Sequence, residues 1–149
     1  MSYTVHVNSK LGAGTDSKRQ YNFDFSAASN HKGKFKVHVT FLSSTTAGVA
    51  NEPIILKSNI VNLSRTFSPD VNNGLSSDQI LAVLKQTTNY NSIESQLENF
   101  MECNNTTNSP IIISSNPSTI FLDISFYTLT DEPYVMVNDY ILSLFFEAI

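Results

Sequence analysis

A chain of 149 residues with a formal charge of −4 and an isoelectric point near 5.2 is sized for one domain, residues 1–149. Such a domain buries roughly two thirds of the surface its unfolded chain exposes and needs no disulfide or metal to do so. Only 15% of residues are charged, against about 25% in ordinary soluble domains; 20 Ser, 13 Thr and 16 Asn stand in their place, beside ten Phe and six Tyr. These numbers exclude a disordered chain, a coiled coil and a collagen, and the acidic balance argues against a nucleic-acid-binding domain.

Taken in chain order, period-2 alternation predicts strands. Residues 3–7 place Tyr3, Val5 and Val7 on one face, and residues 20–25 do the same with Tyr21, Phe23 and Phe25. Between them, residues 11–18 hold Gly12 and Gly14 and read as a turn, as does His31-Lys32-Gly33. The clearest half-buried strand follows: Phe35, Val37, Val39 and Phe41 share one face, and Lys34, Lys36, His38 and Thr40 the other. Residues 53–57, 60–66, 79–85 and 111–114 read as strands buried on both faces, although Ser76-Ser77-Asp78-Gln79 could also cap a helix through Leu84.

Asn91-Ser92-Ile93-Glu94 resembles a capping box, and Ile93, Leu97, Phe100 and Met101 fall at i, i+4, i+7 and i+8; one short helix is expected near 92–102. Residues 69–74, 104–110 and 131–133 read as loops. Residues 120–127 and 140–147 alternate again, with Ile120, Leu122, Ile124 and Phe126 on one face, then Tyr140, Leu142, Leu144 and Phe146. Eight to nine short strands between frequent turn signals predict an all-β antiparallel sandwich.

Cys103 is the only cysteine, the N-terminal residues lack a signal-peptide pattern, and no apolar run approaches the ~20 residues of a membrane helix. A reducing compartment of synthesis is expected, in which Asn-x-Ser/Thr tripeptides such as Asn62-Leu63-Ser64 are chance matches in an Asn-rich chain.

Catalytic chemistry finds little support. His6, His31 and His38 show no metal-ligand spacing, Gly12-Ala13-Gly14 lacks the rest of a phosphate loop, and no nucleophile elbow surrounds any serine. Asp123, Asp131, Glu132 and Asp139 could converge for hydrolysis or Ca²⁺ binding, or lie on solvated turns and strand faces. No catalytic residue, cofactor or metal is expected. Lys32, Lys34, Lys36 and His38 form the one local basic ridge: an interface for an acidic neighbour, or lysines guarding a sheet edge.

All nine Lys and Arg lie within residues 10–85, which are net +4; the remaining residues are net −8. The two signs either neutralise within one subunit or meet between subunits.

Three passages, in order, resemble the small structural proteins of large icosahedral DNA viruses of the nucleocytoplasmic group. They are Tyr21-Asn22-Phe23-Asp24-Phe25 with the following Gly33-Lys34-Phe35-Lys36-Val37-His38-Val39-Thr40-Phe41; Ser109-Pro110-Ile111-Ile112-Ile113 leading to Asn116-Pro117-Ser118-Thr119-Ile120; and the closing Asp139-Tyr140-Ile141-Leu142-Ser143-Leu144-Phe145-Phe146. The resemblance implies a single jelly roll. It also implies a minor capsid or penton-like role in the virion, with itself or other capsid proteins as partners and no enzymatic activity. A receptor- or glycan-binding β-sandwich module is the alternative.

Overall fold

Phe35, Val37, Val39 and Phe41 are buried while Lys36, His38 and Thr40 between them are not, so the period-2 pattern becomes a strand. The computed structural model describes residues 2–22, 34–45, 52–61, 64–67, 75–94, 96–103, 111–114, 121–136 and 138–149. Within them the strands are β1 (Ser2–Asn8), β2 (Ala13–Gly14), β3 (Lys18–Asn22), β4 (Lys34–Thr45), β5 (Ile54–Ser58), β6 (Ser64–Phe67), β7 (Leu75–Asp78), β8 (Ile80–Asn91), β9 (Gln96–Cys103), β10 (Ile111–Ser114), β11 (Phe121–Tyr127) and β12 (Tyr140–Ala148). A single 3-10 turn, Ser9–Leu11, follows β1, and no α-helix occurs among the described residues.

Every ladder is antiparallel. One sheet runs β1-β12-β4-β9, and the second runs β8-β5-β11-β3-β2. The chain passes back and forth between them: β1, β4, β9 and β12 lie in the first and β3, β5, β8 and β11 in the second. That interleaving is the jelly roll, two sheets of four principal strands wound from Greek keys, with β2 added beside β3 and β10 beside β4. β8 belongs to both sheets. Its first half pairs with β5 and its second half, Lys85 to Asn91, with β9, so the ladder curls round without a break. β6 and β7 form a separate two-stranded ladder.

The inner faces meet in one aromatic-rich cluster. Phe41 of β4 stacks on Tyr140 of β12 with ring centres 5.2 Å apart, and Phe126 of β11 meets both edge-on, at 5.8 and 5.2 Å. Leu142, Leu144 and Phe146 from the first sheet, and Leu56, Leu84, Leu122 and Ile124 from the second, complete it fully buried. Each such side chain contributes ~1.5–3 kcal/mol relative to exposure.

The helix expected near 92–102 is a strand instead. Ser92, Ile93 and Glu94 form the turn of a hairpin, and β9 inserts between β4 and β8, with Met101 and Cys103 buried at period 2. The helical spacing does not survive in the strand: Ile93 lies in the turn and Phe100 faces away from Met101, and two ladders of backbone hydrogen bonds decide the outcome. Residues 60–66 are likewise not one strand: Ile60 and Val61 are buried in a turn after β5, where Val61 N–H donates to Ser58 O at 3.3 Å. The ambiguous block at 80–84 is strand. Of the strand expected at 20–25, residues 23–25 lie outside the described residues, as do the turns expected at 31–33, 69–74 and 104–110.

The short β2–β3 hairpin depends on Gly14. Its φ of +128° is open to glycine, a Cβ there would lie 2.4 Å from Lys18 O, and the turn closes with Thr15 N–H donating to Lys18 O at 2.8 Å.

Candidate interaction surface

The outer face of the first sheet can be built row by row from strand register. Lys36, His38, Thr40, Leu42 and Ser44 of β4 point outward, and β12 places Glu147, Phe145, Ser143 and Ile141 opposite the first four of them. β1 adds Thr4 beside Phe145, His6 beside Ser143 and Asn8 beside Ile141; β9 adds Glu102 beside Leu42 and Phe100 beside Ser44. Leu42 and Ile141 are thus cross-strand neighbours, both 55% exposed, and Phe145 (38%) and Ile112 (57%) lie further along the same face. Large apolar side chains in this arrangement on an outer face characterise contact surfaces more than solvated ones.

Around Leu42 and Ile141 the surface dips into a shallow groove of about 370 Å³, with Phe100 on one side and Asn8, Lys10 and Asp139 on the other. Its polar rim is tightly tied. The buried Ser9 hydroxyl donates to Asp139 Oδ1 at 2.9 Å and accepts the Tyr140 N–H at 3.1 Å, while Lys10 Nζ lies 3.3 Å from Asp139 Oδ2. The Ser9 hydrogen bond, with the Lys10 ammonium beside it, holds the Asp139 carboxyl below the usual carboxylate range. Beneath the rim Ser43 Oγ donates to Asp139 O at 2.9 Å.

The basic ridge is divided by the structure. Lys32 lies outside the described residues, and Lys34 opens β4. Lys36 stands between Glu147 of β12 and Ile112 of β10, and His38 Nε2 is 3.5 Å from Glu147 Oε2 with its ring 5.9 Å from that of Phe145. The edge-guarding reading of these lysines is overturned. β4 is an interior strand, flanked by β12 on one side and by β10 and β9 in succession on the other. In the interval between β10 and β9 the Cys103 thiol donates to Val39 O at 3.4 Å.

Opposite charges from the two parts of the sequence meet within the subunit. Lys10 pairs with Asp139 and Lys57 with Asp131 at 2.8 Å, and Lys85 stands opposite Glu102 in the ladder. For Lys10 and Asp139 the winding causes this, because β12 is laid between β1 and β4. The four carboxylates weighed as a catalytic or Ca²⁺ set do not share a partner. Asp123 accepts from Gln20 Nε2 at 2.9 Å, Asp131 from Lys57, and Asp139 from Ser9. Glu132 closes a turn, its N–H donating to Thr128 Oγ1 at 3.2 Å. His6 and His38 are kept apart by β12, and His6 Nδ1 pairs with Ser143 Oγ at 2.8 Å.

The outer face of the second sheet also exposes an apolar residue, Val83 of β8, opposite Ile55 of β5. A polar groove of about 290 Å³ runs past Lys18, Asn59, Gln79, Asp123 and Tyr127. The ring of Tyr127, its one aromatic, is covered by the Lys57 ammonium 4.3 Å from the ring centre.

The Leu42–Ile141 pair and its groove were missed in the sequence. Their signal was present as apolar residues in the outward register of β4 and β12, where Thr40 and Ser143 are the expected kind.

No family model matches the sequence, and no curated protein matches it. Among solved structures, the crystal structure of the mavirus penton protein is similar, with a TM-score of 0.43 and 21% sequence identity. The similarity covers 66% of this chain and 35% of that one, so the chain matches about a third of the penton protein's length.

Proposed function

We propose that this chain is a virion structural protein: one jelly-roll domain over residues 1–149, minor capsid or penton-like, that acts by self-assembly or by binding other capsid proteins rather than by catalysis. The observation that carries the reading is the outer face of the first sheet, where Leu42, Ile141, Phe145 and Ile112 are exposed and Lys10 is already paired with Asp139. A face of that composition loses little on desolvation and gains from burying apolar area against a neighbour. The low overall charge supports the same reading, since a surface kept soluble in isolation would carry more. Lys36 and His38, at the end of this face, are proposed interface residues, together with Lys32 and Lys34 of the same ridge.

The test has two parts. Light scattering on the purified protein is expected to give a mass above the monomer, and mass spectrometry of purified particles is expected to detect the chain. Absence from the particles would overturn the virion role. The glycan-binding alternative gains no support from the polar groove, whose aromatic ring is occupied by Lys57; a sequence-specific signal on a glycan array would restore it.

A further inference from the structure

The hairpin between β8 and β9 ends in Ser92, Ile93 and Glu94, and Ile93 is 94% exposed at its tip. Polar residues ordinarily occupy such turns, and this one carries a β-branched apolar side chain next to a carboxylate. In the groove of the first sheet Leu42, Phe100 and Ile141 form an apolar floor, and the exposed Lys10–Asp139 ion pair stands on its rim. Lys10 already contacts Asp139 but, as an ammonium with three donors, can take a second carboxylate.

The knob cannot reach its own groove. From Phe100, in the groove, β9 runs away to Gln96, roughly 13 Å at strand rise, before the turn that carries the 94% exposed Ile93. An apolar tip and an apolar groove that do not meet within one chain can make a head-to-tail contact between copies. Such contacts close into a ring when the rotation permits.

We infer that the hairpin tip of one copy docks into the Leu42–Phe100–Ile141 groove of the next, with Ile93 on the apolar floor and Glu94 against Lys10. The inference rests on the self-assembly reading above and names the contact by which it would occur.

Sedimentation velocity on the full chain and two variants tests it. Ile93→Asp and Ile141→Lys should each weaken self-association at least ~10-fold, the loss expected when one buried apolar side chain is replaced. Mixing the two variants should restore a two-chain complex, because the first retains an intact groove and the second an intact tip. An isologous face-to-face contact would not be restored by mixing. Matching thermal transitions establish that the variants are folded, and Ile141→Thr, which keeps a strand-forming residue, replaces Ile141→Lys if that chain does not fold. Wild-type assembly unaffected by Ile93→Asp, or a mixture that stays monomeric, overturns the docking while leaving self-assembly intact. A wild-type chain that is monomeric at every concentration overturns both.

Discussion

Ser9 and Asp139 are 130 residues apart in sequence and 2.9 Å apart in space, joined by a hydrogen bond from the serine hydroxyl to the carboxylate. The same hydroxyl accepts the Tyr140 N–H at 3.1 Å, so one buried side chain fixes the entry to β12 immediately after β1 has ended. Ser9→Ala leaves the Tyr140 N–H without that acceptor and removes a donor from Asp139. The expected cost is ~1–3 kcal/mol of folding stability, read as a lower urea midpoint with an unchanged slope.

Asp139 should make stability depend on acid. Its folded pKa is lowered, first by the Ser9 hydrogen bond and then by Lys10, so the unfolded chain takes up the proton more readily. The stabilisation is therefore complete above the ordinary carboxylate pKa and is lost as pH falls through the lower folded value. Asp139→Asn should flatten this acid limb in thermal melts taken across the acid range. A variant whose acid limb matches the wild type would refute the assignment.

Tyr140 should act at the opposite end of the scale. Burial, reinforced by the Tyr21 hydroxyl 3.4 Å away, raises its pKa well above the ordinary phenol value. The neutral phenol is the form the fold holds, so its contribution is fully present below about pH 10 and declines as the unfolded chain ionises above it. Phenolate absorbance should show one tyrosine that titrates only with unfolding. Tyr140→Phe, which keeps the ring against Phe41 and Phe126, should remove that component at a cost of ~0.5–1.5 kcal/mol at neutral pH.

Phe126 joins the two sheets. It is fully buried and its ring meets Phe41 and Tyr140 of the facing sheet. Phe126→Ala should cost ~3–5 kcal/mol, more than any single outer-face substitution, and calorimetry should show the difference directly.

What could be read from residues alone was alternation. Phe35 to Phe41 and Tyr140 to Phe146 announce strands because a half-buried strand permits no other pattern, and both are buried as expected. Partner identity was less legible. Lys36 and His38 look the same on an edge or an interior strand, and only the ladders to β12 and β10 decide. The 92–102 segment misled because Ile93, Leu97, Phe100 and Met101 satisfy a helical spacing, while the neighbours that make it a strand come from elsewhere in the chain. The groove failed for a related reason: Leu42 and Ile141 are adjacent only once β4 and β12 are in register.

Because β8 is bonded to β5 along its first half and to β9 along its second, it acts as a tie-rod through the molecule. A pull on the hairpin tip draws β8 and β9 together, so the load falls in shear on the β5–β8 and β4–β9 ladders that hold the hairpin on either side. Force applied at Ile93 is thereby spread into both halves of the sandwich. A sandwich built this way stiffens as a whole rather than yielding at the hairpin.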